Sequence, residues 1–403
     1  MRLIGAASIA FVLALTFTSA SALDQTHRPL DGRKIFRFDT FGDEQLWTNF
    51  LRLHEAVQTV SPATALSVGL KVDADALPHA IVKALQTRRV DLDDPRVTID
   101  LLRLNAVVGV IGKVDESGQL TSIGITCALC HSNVDDSLAP GIGKRLDGWA
   151  NHDLDVGGIA ALAPGLPDEL KTEFSRWGPG MYDPRHHAFD GVNLFELHPE
   201  SESKSVPVVM PPIYGLRGVG FETYTADGPI SYWNSYVGVG QMGGHGSFSD
   251  PRIGLFITQT PDLVTPKLRA LLKYQLSLKA PAPPDRSVAR KAAARGKRLF
   301  HGEAGCGRCH SGPEYTDVLS GPRKHAPFLH DPAETGMNPV YANRSATGQY
   351  RTTPLRALWQ HAPYFHDGSA PDLPSVVDHY DQHFGLNLTS DRKADLVEFL
   401  KSL

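Results

Sequence analysis

Two copies of one five-residue pattern limit what this chain can become: Cys127-Ala128-Leu129-Cys130-His131 and Cys306-Gly307-Arg308-Cys309-His310. C-x-x-C-H is the attachment signature of a c-type haem. Each cysteine of such a pair forms a thioether to a porphyrin vinyl group, and the histidine that follows is placed to ligate the iron. The expected cofactors are therefore two covalently bound c-type haems, anchored by Cys127, Cys130, Cys306 and Cys309, with His131 and His310 as the proximal metal ligands. The four cysteines of the chain are all used in this way, which leaves none for a disulfide framework. A pair of zinc knuckles is the competing reading, but each motif offers three ligands where structural zinc takes four.

The N-terminus agrees with export. Arg2 precedes an apolar run from Leu3 to Phe17 and the small-x-small pattern Ala20-Ser21-Ala22, so residues 1–22 are expected to be a signal peptide. That run is shorter than the roughly 20 residues of a membrane-spanning helix, and no stable membrane span is expected elsewhere. Haem of this type is attached outside the cytoplasm, which in a bacterium means the periplasm. A formal charge of -4 with interspersed signs gives no basic footprint for nucleic acid.

The expected fold is mainly α, with two tandem cytochrome c-like domains, an N-terminal helical extension, long loops and one small β-hairpin before the first motif. In the extension, residues 23–92, Leu46, Trp47, Phe50, Leu51 and Val57 fall at helical spacing. His54 beside that stripe reads as a hydrogen-bonded boundary residue. Val107–Lys113 and Gln119–Ile125 flank Asp115-Glu116-Ser117-Gly118 as a hairpin delivering the first motif. Residues 177–214, rich in Gly and Pro, read as a long irregular loop. Thr265-Pro266 opens a helix as N-cap and N1. The proline cluster Ala280–Pro284 then separates a first haem domain, 93–284, from a second, 285–403.

The second domain reads as a compact cytochrome c unit, in which Gly296 and Phe300 of its first helix pack on Phe399 of its last. Ala270–Leu278 repeats the pattern of Asp395–Leu403, and Leu216-Arg217 with Asp227-Gly228 parallels Leu355-Arg356 with Asp367-Gly368. Both haem domains are thus expected to end on the same kind of helix.

The series Thr353-Pro354-Leu355-Arg356, Ala362-Pro363-Tyr364-Phe365-His366-Asp367-Gly368-Ser369 and Val376-Val377-Asp378-His379-Tyr380 resembles that of the bacterial di-haem cytochrome c peroxidases and the related MauG enzymes. The resemblance is specific in the C-terminal half and loose elsewhere, and a distant likeness to di-haem rubber oxygenases exists. It implies a hydrogen peroxide-reducing enzyme fed by a small cytochrome c or cupredoxin. The rivals are a MauG-like or oxygenase enzyme acting on an organic or protein substrate, and an electron-transfer cytochrome without catalysis. It also leaves room for a Ca2+ ion between the domains and for a homodimer.

The resemblance places the sixth ligand of the second haem twelve residues beyond Gly368, on Tyr380, where peroxidases of the family carry methionine and MauG carries tyrosine. His379, His383 and Met337 are the alternatives. The same step from Gly228 falls on Gly240, which has no side chain to ligate iron, so the first haem is expected to be open on a side lined by Gln241, Met242 and His245. Gln241 and His245 are the candidate catalytic residues, with His245 as general acid and base. His152 is a rival cap for the first iron. Trp177, Trp233, Trp359 and Tyr224 are candidates for an aromatic between the haems, and His366 and Arg356 for the domain interface or a haem propionate.

Overall fold

A computed structural model of the chain describes residues 29–184, 205–321 and 326–403. The expected signal peptide and most of the expected irregular loop therefore lie outside the described residues. From Asp31 to Leu403 the chain forms one compact unit.

Asp31 starts the first helix, α1 (Gly32–Phe38), by accepting the Arg33 and Lys34 amides on its carboxylate at 2.9 and 3.3 Å. Such a cap satisfies two of the four amides a helix start leaves unpaired. A π-helical turn (Gln45–Phe50) and short helices at Leu53–Val57, Pro62–Ser67, His79–Gln86 and Pro95–Arg103 follow. Strands β1 (Val110–Val114) and β2 (Leu120–Ile125) pair antiparallel, with Val110 opposite Ile125. β2 leads into a short helix, α2 (Ala128–His131), which carries the first motif. Met181–Tyr182 pairs antiparallel with Val208–Val209 and so closes the base of the long loop.

Next come α3 (Ile230–Tyr236), a second π-helical turn (Val237–Gln241), and α4 (Leu268–Gln275). The start of α4 differs from expectation in its capping group. Asp262, rather than Thr265, accepts the Val264 and Thr265 amides, each at 2.9 Å, and Thr265 donates its hydroxyl to the same carboxylate. The second motif follows α5 (Arg290–His301), on a 3-10 turn at Cys306–Arg308. Helices α6 (Pro332–Thr335), α7 (Leu373–Phe384) and α8 (Ser390–Lys401) complete the chain.

One helix pair occurs twice. In the C-terminal unit a Cβ placed on Gly296 of α5 would lie 1.9 Å from the Asp395 carbonyl oxygen of α8, and Phe300 meets Phe399 edge to face at 5.2 Å. In the N-terminal unit a Cβ on Gly32 of α1 would lie 2.0 Å from the Ala270 carbonyl oxygen of α4, and Phe36 meets Tyr274 at 5.6 Å. Glycine is required at both crossings because the two main chains touch.

Several residues of the stretch 31–92 share cores with the first motif. Leu46, Trp47 and Leu51 share a core with Leu129 and Trp177, and Cys130 and Tyr182 pack on it. Ile35, Phe36 and Phe41 share a second core with Ala128, Trp233, Tyr236 and Met242, on which Cys127 packs. The two sides of the first motif are thus built from different cores. A third, with Phe300, Leu373, Val377, Leu396 and Phe399, belongs to the second unit.

The parts of this compact unit before and after the proline cluster Ala280–Pro284 meet through charged and main-chain bonds. Asp183, fully buried, pairs with Arg344 at 2.9 Å, and Glu222 with Arg351 at 3.3 Å. Asp227 accepts the Ala346 amide at 2.8 Å, and the Val209 amide donates to the His366 carbonyl at 2.8 Å.

Candidate haem sites

At the first motif Cys127 sits at the N-cap of α2 and His131 at its end. The His131 ring bonds through Nδ1 to the Pro211 carbonyl at 3.1 Å. A carbonyl only accepts, so Nδ1 carries the proton and Nε2 keeps its lone pair. Burial pushes the imidazole down to about 4, which keeps it neutral. Burial likewise pushes the Cys127 and Cys130 thiols up to about 12. The second motif repeats the arrangement: His310 Nδ1 meets the Tyr315 carbonyl at 3.0 Å, and burial lowers this ring too.

These residues fit a haem. All four cysteines are free of disulfides, and each histidine has its tautomer fixed by a carbonyl, as metal-bound imidazoles do. Between the units Arg356 adds a buried Nη1 without a hydrogen-bond partner among the described residues, a cation suited to a carboxylate. Burial lowers its guanidinium. Such an atom costs about 1–3 kcal/mol if it stays unpaired.

Around the second motif the candidate sixth ligands separate. His379 and His383 turn their Nε2 atoms to the Thr335 and Glu334 carbonyls, at 2.8 and 2.9 Å, at the end of α6. Met337 packs in a small cluster with Tyr341 and Tyr350. Tyr380, on α7, has the Phe365 ring edge-on at 5.8 Å and lies near enough to Cys306 and Cys309 to feel both thiols. Burial first, and then those thiols, push its phenol above the ordinary value, so the phenolate form needs a cation beside it.

Near the first motif, the π-helical turn puts two glycines where α7 carries Tyr380. The isolated bridges Glu222 to Gly228 and Tyr364 to Ala370 are equivalent, and Thr223 and Phe365 share a positive φ, 61° and 66°. This register sets Tyr380 opposite Gly238, whereas the sequence step sets it opposite Gly240. Neither glycine offers a ligand. Among the described residues, a Cβ on Gly240 would meet nothing closer than the Tyr236 ring at 3.9 Å, while one on Gly238 would meet Val264 at 3.2 Å. Of the two, Gly240 has the more room for a side chain.

Gln241 and His245 are not brought together by hydrogen bonding. Gln241, buried, takes the Tyr182 hydroxyl on Oε1 and gives Nε2 to the Tyr236 oxygen at 3.3 Å. His245, half-buried, points Nδ1 at the Pro261 carbonyl at 2.7 Å. His152 is held between the Ala362 and Met210 carbonyls, each at 2.9 Å, and so ties the units together.

Of the aromatic candidates, Trp177 stands edge-on to Tyr182 at 5.5 Å and Trp233 edge-on to Tyr236 at 5.5 Å, both in the first unit. Tyr224 bonds the Val209 carbonyl at 3.0 Å and meets the His366 ring at 6.2 Å. Trp359 meets Trp149 at 5.9 Å, edge to face, across the two units. Trp149 carries no sequence signal of its own. The His366 ring reaches Tyr350 at 3.0 Å. A charged cluster also escaped the sequence: His330 bonds Asp317 at 3.1 Å and Glu334 at 2.9 Å, with Cys309 alongside.

No family model matches the chain. A cytochrome-c peroxidase, IdrP1, of Pseudomonas sp. (strain SCT) is 29% identical over 184 residues, which is 34% of this chain and 48% of that protein. IdrP2 of the same strain is 32% identical over 151 residues, 30% and 41% of the two chains. The methylamine utilization protein MauG of Methylorubrum extorquens is 31% identical over 137 residues, 30% and 36%. Over about a third of its length the chain is thus similar to proteins named cytochrome-c peroxidase and to MauG. Its match spans less than half the length of each of these peroxidase and MauG relatives. A MauG-like protein associated with microbial copper homeostasis overlays on 50% of the chain, and 75% of its own, at 21% identity and a TM-score of 0.35, a loose superposition. Among the described residues no helix is long and apolar enough to cross a membrane.

Proposed function

We propose that the chain is a periplasmic di-haem c-type oxidoreductase that reduces hydrogen peroxide with electrons from a small redox protein. The observation that carries this reading is the difference between the two sites. Tyr380 stands by Cys306 and Cys309 with its histidine rivals turned to carbonyls, whereas the matching turn of the first half carries Gly240, which has no side chain to ligate iron and room around its Cα. Kinship with cytochrome c peroxidases and MauG supports c-type haem as the cofactor.

A bound haem supplies an iron centre that exchanges electrons one at a time and at which peroxide is reduced. The chain's own residues set what each centre can do. Pro211 and Tyr315 hold His131 and His310 as neutral rings with Nε2 presented. Gln241 and His245 follow Gly240 on the side of the first site that this reading leaves open. Tyr380 closes the second site, so that this centre stores or supplies charge with little reorganisation. Arg356 balances a carboxylate at the interface, and the Trp149–Trp359 pair offers an aromatic contact between the units.

A second reading, oxidation of an organic or protein substrate in the manner of MauG, is favoured by the same Tyr380. A phenolate ligand lowers the reduction potential and suits highly oxidised iron. Replacing Tyr380 by Phe tests the assignment: the electronic spectrum of the second haem changes and its potential rises, while His379→Ala leaves both in place. An unchanged spectrum in Tyr380→Phe contradicts it. Turnover of peroxide with reduced cytochrome, set against oxidation of an added organic substrate, then separates the two enzymes.

A further inference from the structure

The ring of His330, a buried residue, is placed by its main chain, which pairs with that of Tyr350 through two bonds of 2.8 and 3.0 Å. It lies between two carboxylates: Nε2 faces Asp317 Oδ2 at 3.1 Å, and Nδ1 faces Glu334 Oε2 at 2.9 Å. An ionised carboxylate only accepts, so both nitrogens donate and the ring is an imidazolium. Glu334 is held at the start of α6, where its other oxygen accepts the Asp331 amide at 3.2 Å as one half of a capping box. Asp317 stands two residues after Tyr315, whose carbonyl accepts the His310 ring.

The three charges differ in their surroundings. Asp317 and His330 are buried, whereas the Glu334 side chain is 54% exposed and water screens its field. Asp317 Oδ1 has no hydrogen-bond donor among the described residues. The Cys309 sulfur, a carboxylate oxygen of Asp317 and a ring nitrogen of His330 all lie within 4.8 Å of one another. At such a distance inside a protein, a charge acts several times more strongly than in water. The sign of the field is that of Asp317. Burial raises the Cys309 thiol, with Asp317 and then Glu334 adding to it and Arg308 opposing. At His310, where burial lowers the ring most, Asp317 pushes it up more strongly than His330 pushes it down.

We propose that Asp317, held in place by His330, is a buried negative charge that lowers the reduction potential of the haem at the second motif. Reduction adds one electron to the iron centre, and a negative charge beside that centre opposes it. Burial and second-shell groups tune a haem as its axial ligand does. The chain thus has a means besides Tyr380 of holding this centre in its oxidised form. The inference rests on the reading above that Cys306 and Cys309 carry a haem, and not on which residue is its sixth ligand. Asp317 touches no reacting atom in this scheme.

The test is a spectroelectrochemical titration of the full di-haem protein at about pH 5.5, below the ordinary value of histidine, so that His330 stays protonated beside Glu334. The second haem is identified as the one missing from a Cys306→Ala, Cys309→Ala variant. Asp317→Asn keeps an acceptor for His330 and removes the charge. Its second haem titrates at a higher potential than the parent's, with the same electronic spectrum and hence the same iron ligands. Asp317→Glu, which restores the charge, returns the potential most of the way to the parent's. Glu334→Gln, at the exposed carboxylate, raises it by less than Asp317→Asn. An unchanged or lower potential in Asp317→Asn, or an equal rise in Asp317→Glu or Glu334→Gln, overturns the tuning role alone. So does loss of the second haem from Asp317→Asn, which would make Asp317 a residue of folding. A parent in which the peptide holding Cys306 and Cys309 carries no haem mass overturns the reading of the site, and the tuning role with it.

Discussion

Gly296 lies so close to Asp395 that a Cβ on the glycine would sit 1.9 Å from the Asp395 carbonyl oxygen. Four residues further along each helix, Phe300 and Phe399 meet edge to face. This crossing closes the C-terminal unit, and Gly32 against Ala270 closes the N-terminal one in the same way. Gly296→Ala is expected to destabilise the protein by about 1–3 kcal/mol, the usual cost of overpacking, because the obstacle is main chain and cannot rotate away. Chemical denaturation of the haem-loaded variant measures it. An unchanged midpoint would mean that the helices separate without cost.

The crossing also shows what the sequence made legible. Gly296, Phe300 and Phe399 are readable because a glycine and an aromatic four apart on the first helix answer an aromatic on the last. The matching start of the first unit was in plain view: Gly32-Arg33-Lys34-Ile35-Phe36 parallels Gly296-Lys297-Arg298-Leu299-Phe300. It goes unmatched because 94 residues, rather than a few, lie between Gly32 and Cys127. Helical spacing around Trp47 marks a buried face but does not say which core buries it; the structure joins Trp47 to Leu129. The motif histidines are local signals. The pairing of Trp149 with Trp359 and the bond of Tyr182 to Gln241 join residues far apart in sequence, and no local pattern encodes them.

Arg344 holds the fully buried Asp183 carboxylate at 2.9 Å across the two units. Asp183 also accepts the Val206 amide at 2.7 Å, so removing Arg344 leaves a buried carboxylate that keeps part of its hydrogen bonding, at a cost of about 1–3 kcal/mol. Arg344→Ala is therefore expected to lose most of that amount and to loosen the contact between the units, seen as faster amide exchange at residues 340–351. Stability within a few tenths of a kcal/mol of the parent would show that water reaches Asp183.

His330 gives the protein a pH dependence near neutrality. The bond to Asp317 foremost, and that to Glu334, hold its imidazolium at about 9 against the opposing effect of burial. A histidine raised in the folded state stabilises fully below its ordinary value of 6.5, and that contribution disappears as pH rises through about 9. The denaturation midpoint of the parent is expected to fall between these values more steeply than that of His330→Gln. Parallel profiles would contradict the pairing.

Electron paramagnetic resonance of the oxidised, haem-loaded protein before and after addition of peroxide tests the difference between the two sites most directly. An open first site beside Gly240 and a Tyr380-closed second site predict one high-spin and one low-spin ferric signal, with the high-spin signal lost on peroxide addition. Two low-spin signals that ignore peroxide, even after partial reduction, would contradict the account.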